Sequence, residues 1–215
     1  MKSLFFGILA IILIGFGGLV YRNAVEHPTQ PIVCPVSDFV CPDGTSVSRT
    51  GSSCIFPACP PPNVSLSDIS IAFAIPEGFV SAALPDASSI AAYESAVTAS
   101  STKTASIIVR RFAITASSTA LATIQQTAIG GASGLPVGAT AYSSSTLGGR
   151  PFTVISIERF EGVVDTAYYL KRATDVLRFD AIDREVMNWT DPNLNAATLP
   201  AHAALRKLLT TLQGQ

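Results

Sequence analysis

From Leu4 to Val20 the chain carries no charge and no polar side chain. A helix of that length, at ~1.5 Å per residue, spans roughly 26 Å, a little short of a ~30 Å hydrocarbon core. Residues 23–33, with Pro28 and Pro31, have no periodicity and read as a linker. Residues 34–60 are rich in Cys, Pro, Gly and Ser, and Pro60, Pro61 and Pro62 favour a stiff extended spacer over 61–64. Regular patterning resumes near Ser65 and continues to the end. "DISIAFAIPEGF" alternates at Ile69, Ile71 and Phe73 and breaks at Pro76-Glu77-Gly78. "SIIVRRFAI" predicts a central strand and "ATAYSSST" another strand. "SSTALATIQQTAIGG" predicts a helix capped by Ser117 or Ser118, with Leu121, Ile124 and Ala128 on one face and Gly130 as its stop. "RPFTVISIERF", "VVDTAYYLKR" and "DVLRFDAID" are separated by Glu161-Gly162 and Ala173-Thr174, which predicts three consecutive antiparallel strands. "LPAHAALRKLLTTLQ" predicts a last helix with Pro200 in its first turn and Leu205, Leu208, Leu209 and Leu212 on one stripe. The fold class is therefore α+β, an antiparallel sheet with helices packed on it. The predicted divisions are 1–22 anchor, 23–33 linker, 34–60 cysteine module, 61–64 spacer and 65–215 main domain.

The leading segment admits two export readings. Lys2 gives it a positive start, while Tyr21 and Arg22 follow as an interfacial ring and a snorkelling cation. A cleavable signal wants an Ala-x-Ala-like site, which Leu19, Val20, Tyr21 and Arg22 do not supply. No cysteine follows the run for lipidation, and no Glu sits inside it as in a type IV pilin. An uncleaved anchor is the favoured reading, with the bilayer as partner of residues 4–20. Both readings place the remainder outside the cytoplasm.

The cysteines follow C-x6-C-x12-C-x4-C, at Cys34, Cys41, Cys54 and Cys59. That spacing lacks the C-x2-C pairs of zinc sites and the C-x-x-C of redox centres, and His27 is the only nearby histidine. Behind an export segment, in a stretch too short to bury its own core, it predicts two disulfides. Four cysteines allow three pairings; we favour Cys34–Cys54 with Cys41–Cys59. Asp43-Gly44 and Gly51 mark turns, with a small hairpin near 46–49 and 54–56.

Composition narrows the function classes. A net charge of −1 offers no basic stripe for nucleic acid. Only 13% of residues are charged but 48% are hydrophobic, enough for a core under a neutral, hydroxyl-rich surface.

Two resemblances add to this reading. Cys41-Pro42-Asp43-Gly44-Thr45, Val47, Arg49, Gly51, Cys54, Phe56 and Cys59-Pro60 resemble a short four-cysteine module seen in exported proteins of uncultivated bacteria. The same stretch is faintly similar to a Kazal protease-inhibitor loop, although Kazal modules are larger and carry six cysteines. Phe73, Ile75-Pro76-Glu77-Gly78-Phe79, Tyr168-Tyr169-Leu170 and the Leu205 to Leu212 stripe resemble the Mog1/PsbP/DcrB superfamily. That resemblance implies an α/β/α sandwich around an antiparallel sheet and accessory, binding or assembly roles, mostly non-enzymatic. "VMNWTDPNLN" reads as an insertion in that plan.

Motifs for chemistry are sparse. There is no H-E-x-x-H, G-x-S-x-G or P-loop. Ser100 and Lys103 satisfy S-x-x-K but lack the companion S-D-N and K-T-G elements. "GGASGLPVG" follows a helix instead of leading into one, which is not a phosphate cradle. His202 is expected to be exposed or capping at the start of the last helix. Asp180 and Asp183, with Glu185, could offer oxygens to a hard cation, but strand-end carboxylates balanced by Arg178 and Arg184 are the simpler reading. Arg110 and Arg111 should point to opposite faces. Trp189 is read as packing at the sheet edge or as a binding aromatic. Asn63 and Asn188 open N-glycosylation sequons, discounted because the source is read as bacterial.

The candidate binding residues are thus Trp189, Asp180 and Asp183; no catalytic residue, metal or cofactor is assigned. The expectation is a single-pass protein of the cell membrane whose extracytoplasmic domain binds or assembles with an unidentified envelope protein. The alternatives are an envelope hydrolase using Ser100 and Lys103 or a carboxylate pair, and a protease inhibitor acting through the cysteine loop.

Overall fold

The computed structural model describes residues 2–26, 34–41, 46–59, 61–96, 105–131 and 134–214. His27, the Asp43-Gly44 turn, and Ser100 with Lys103 lie outside the described residues. The chain divides into two units, Met1–Ser37 with Ser48–Pro57, and Asp38–Val47 with Ala58–Gln215.

In the first unit, α1 spans Lys2–Glu26. Of its side chains, only those of residues 7 and 11–22 are described. Among residues so described, no helix is long and apolar enough to cross a membrane. Cys34 is joined to Cys54. Gly51 takes a positive φ of 73° at the turn between them, and Thr50 bridges Ile55 across it. Arg49 holds this turn together. It donates to Ser37 Oγ at 2.9 Å and to the Cys54 carbonyl at 3.0 Å, and its guanidinium lies 4.4 Å above the Phe56 ring. The pairing differs from the expected 46–49/54–56 hairpin: β2 (Ser46–Ser48) joins β1 (Asp38–Val40) instead.

In the second unit, Cys41 is joined to Cys59. The domain then builds β3 (Val64–Leu66), a 3₁₀ turn (Ser67–Ile69), β4 (Ile71–Phe73), β5 (Phe79–Ser81), β6 (Ser89–Ser95), β7 (Ala105–Ala113), α2 (Ala120–Thr127), β8 (Tyr142–Leu147), β9 (Arg150–Phe160), β10 (Val163–Lys171), β11 (Asp175–Asp183), α3 (Pro200–Thr211) and β12 (Gln213–Gly214). Seven strands form one antiparallel sheet in the order β5-β6-β7-β11-β10-β9-β8. The chain lays down one edge as β5-β6-β7, crosses through α2 to the far edge, and returns by the β8-β9-β10-β11 meander to meet β7. A smaller sheet, β12-β4-β3, lies beside it.

The central strands are buried on both faces, as their long apolar runs require. On one face Phe73, Ile107, Phe152 and Phe179 pack with Leu205, Leu208 and Leu209 of α3. Three fully buried leucines on α3 contribute roughly 5–9 kcal/mol of transfer free energy relative to exposure. On the other face Ile155, Ala167, Tyr169 and Val176 pack with Ala120 and Ile124 of α2. Leu121, expected on that inward face, is instead 59% exposed, because Ala120, Thr123, Ile124 and Ala128 cover the sheet. The α2 cap is Thr119, which accepts from the Ala122 N–H at 3.1 Å, not Ser117 or Ser118. Ser118 is engaged with Thr115 in the preceding turn.

Strand β9 contains a bulge. Asp165 pairs with Glu158, but Thr166 pairs with Ser156, so Ile157 is an extra residue in β9. The bulge puts both Ile157 and Glu158 on the α2 side.

Candidate functional site

Alternation along β11 sends Val176, Arg178 and Asp180 to the α2 face, and Asp175, Leu177, Phe179, Ala181 and Asp183 to the α3 face. Asp180 and Asp183, three residues apart, therefore point to opposite sides and cannot share a cation. Among the described residues no group of three or more His, Cys, Asp or Glu is arranged to hold a metal ion.

On the α2 face Asp180 has no solvent exposure. Arg178 Nε donates to its Oδ1 at 2.6 Å and Arg110 Nη1 to its Oδ2. Arg110 also reaches Asp86 through Nε and Nη2, both at 3.0 Å. Arg178 Nη1 donates to the Thr127 carbonyl at 2.5 Å, at the negative end of α2, and its guanidinium sits 5.7 Å from the Tyr169 ring. Asp86 accepts from the backbone and hydroxyl groups of Ser88 and Ser89, between 2.6 and 3.0 Å. Although burial alone would raise its pKa, the Ser88, Arg110 and Ser89 hydrogen bonds outweigh it and hold the carboxyl far below the usual range.

Asp165 stands beside this network with a different fate. Its Oδ1 is sealed from solvent and has no hydrogen-bond partner. Burial, and then the charge of Asp180, push its pKa well above the carboxylate range, against the opposing pull of Arg178 and Arg110. The charges explain why. Asp86 and Asp180 already cancel Arg110 and Arg178, so Asp165 holds its proton more tightly than a free carboxyl does.

On the α3 face Asp183 accepts from the Ala201 N–H at 2.8 Å and lies 2.6 Å from His202 Nδ1. It caps a helix whose own N-cap, Leu199, has no side-chain acceptor. His202 is 1% exposed, which corrects the expectation of an exposed or capping histidine: the capping group is the strand carboxylate, and the imidazole is packed under it. Its Nε2 is buried without a partner. At the other end of β11, Asp175 is clamped by Arg172 through Nε at 2.7 Å and Nη2 at 3.1 Å, and by Arg111 Nε at 2.7 Å. Arg110 and Arg111 thus serve different faces, each against a carboxylate. Arg184 donates to Ser106 Oγ at 2.8 Å. Trp189 is half-buried, edge-on to Phe160 with centroids 6.2 Å apart.

Cavities open among the described residues of this domain. One, about 400 Å³, lies over α2 and the start of β8, between Leu121, Gln125, Val137 and Tyr142. Another, about 490 Å³, lies on the α3 side between the 3₁₀ turn and β7, with Arg111 in its wall. Linear patterning does not single out Arg111, Arg172, Asp165 or Asp86 as a site. The available signal is an ionisable residue at an inward position of an apolar strand, as in "VVDTAYYLK".

No family model and no curated protein matches the chain. Among solved structures, the chain is similar to the solution structure of cyanobacterial PsbP (CyanoP) from Synechocystis sp. PCC 6803, at 10% identity and a TM-score of 0.46, over 71% of this chain and 91% of that one. It is also similar to a crystal structure from Bacteroides thetaiotaomicron VPI-5482, at 7% identity and a TM-score of 0.42, over 67% of this chain. The chain spans 45% of that protein's length.

Proposed function

We propose that this is a membrane-anchored extracytoplasmic protein whose α+β domain binds or assembles with other molecules and performs no catalysis. One observation carries the binding reading: among the described residues, the carboxylates of β11 and the histidine of α3 are committed to the fold. Asp180, Asp175 and Asp183 are committed to Arg178 with Arg110, to Arg172 with Arg111, and to the start of α3. His202 is sealed under Asp183, out of reach of a substrate. The cystines Cys34–Cys54 and Cys41–Cys59 favour an oxidising compartment. Anchoring rests on residues 4–20, an uncharged run inside the 25-residue helix α1. Trp189 is assigned to packing, since its ring is already engaged by Phe160.

The test is fractionation of native cells, followed by protease treatment of intact cells or spheroplasts and cross-linked pull-down of the full chain. The expected result is recovery in carbonate-washed membranes, digestion of residues 34–215 from outside, and a co-purifying envelope protein. Recovery in the cytosol with four free thiols would overturn the location, and substrate turnover by the purified chain would overturn the binding reading.

A further inference from the structure

The 490 Å³ cavity is walled on one side by Leu66 and Ile69 of the small sheet and its 3₁₀ turn, and on the other by Leu84 and Ile90. Arg172 Nη1 donates to the Ile69 carbonyl at 2.6 Å and fixes that turn against the main sheet. The volume falls within the ~300–1,000 Å³ typical of small-molecule sites, which are mostly apolar with a few placed polar groups.

Beside these apolar side chains the described lining holds Ser65, Ser67, Ser89, Asp68 and Arg111, of which Arg111 is the one cation. Its Nε is spent on Asp175, and its guanidinium makes no other hydrogen bond among the described residues. Asp175 is already held at both oxygens by Arg172. Asp175 therefore faces two guanidinium groups, and the Nη atoms of Arg111 make no hydrogen bond among the described residues. The Arg111 side chain is 42% exposed and stands in the cavity lining. A guanidinium edge with two free N–H directions matches a carboxylate bidentately. Asp68 stands exposed at the rim and disfavours a second negative charge on whatever enters.

We propose that this cavity binds a small amphipathic monocarboxylate, with its carboxylate on the Nη atoms of Arg111 and its apolar body between Ile69, Leu66, Leu84 and Ile90. The proposal rests on the binding reading and names its ligand class. The choice of a monoanion follows from the single pair of unbonded Nη atoms on Arg111, which one carboxylate fills, and from Asp68 at the rim, which repels a second charge. The choice of an organic acid over an inorganic anion follows from Leu66, Ile69, Leu84 and Ile90, which an apolar body would cover.

The probe is 3-phenylpropionate, titrated into the full chain in detergent micelles while the Arg111 Nε–H signal and, in every variant, the backbone amide signals of Leu66 and Ile69 are followed by NMR. A saturable shift is expected, with 3-phenylpropionamide and the dianion phenylsuccinate each weaker by about tenfold or more, ~1.4 kcal/mol. Arg111→Gln should abolish the binding. Ile90→Trp should fill the cavity and do the same with Arg111 intact; Leu84→Trp, at the more exposed rim, serves if that variant fails to fold. Absence of a saturable shift, equal binding of the amide, or undiminished binding to Arg111→Gln would each overturn the proposal. Such a failure would leave the fractionation and pull-down results standing, so the ligand class and the broader reading fall separately.

Discussion

Asp165 and Asp86 are both carboxylates at the edge of one ion-pair network, yet their pKa values move in opposite directions: burial and the Asp180 charge raise that of Asp165, while at Asp86 burial is outweighed by hydrogen bonds from Ser88, Arg110 and Ser89 that lower it. Asp86 collects N–H and O–H groups, whereas the Oδ1 of Asp165 collects none. The folded chain therefore keeps a proton at Asp165 in a pH range where the unfolded chain, titrating near 4, has released it. Stability should decline as pH climbs from about 4 toward the raised folded pKa of this group. Asp165→Asn removes that slope. The variant is expected to melt with wild type near pH 4 and above it at about pH 8; parallel melting curves across that range would show that Asp165 titrates normally. Such a residue is only half-legible in a sequence. The position of Asp165 among Val164, Ala167 and Tyr169 announces an inward carboxylate, but its neighbours Asp180 and Arg110 come from strands that only the topology brings together. The reading of Asp180 and Asp183 as a joint cation site fails on parity alone, a test that "DVLRFDAID" already permits.

At the scale of elements, the strands with a clear turn between them are the readable ones. Glu161 and Gly162 both take positive φ, 47° and 78°, the two-residue geometry that suits a twisted hairpin, so β9 and β10 are predictable. β6 is not: "SIAAYES" places Ala91 and Ala92 on successive faces, and small residues on both sides leave no alternation to detect. The register of α3 is legible from its leucines, but its start is not. The cap is Asp183, 18 residues before Ala201, and no local box records it. Asp183→Ala removes an acceptor from the helix start and strands His202 in the core. A loss of about 1 kcal/mol for the cap and ~1–3 kcal/mol for the unpaired buried group predicts destabilisation of roughly 2–4 kcal/mol. For a chain of this length that is a Tm lower by very roughly 5–15 °C in calorimetry. Asp183→Asn keeps one acceptor oxygen and should lose less than half as much. Equal losses for the two variants would show that charge, not acceptance, is what Asp183 supplies.

For the whole molecule, the cystines and the sheet are stabilised by separate means. Cys34–Cys54 and Cys41–Cys59 close spans of 20 and 18 residues, each restricting the unfolded chain by about 3 kcal/mol in the loop-entropy model. The β3 to β12 domain contains no cysteine and is held by its core. Reduction should therefore accelerate amide exchange across residues 34–59 while the strands β7, β10 and β11 keep wild-type protection. Global loss of protection on reduction would mean that the domain depends on the bridges. The extra residue in β9 carries a further implication, for tolerance to length change. Excising Ile157 would restore plain alternation: Glu158, Arg159 and Phe160 would keep Asp165, Val164 and Val163 as partners and would keep their faces. The deletion would cost the buried Ile157 side chain itself. A one-codon insertion after Glu158 would instead turn Arg159 away from the carbonyls of Asp191 and Leu194 and Phe160 away from Trp189, releasing the 189–194 segment.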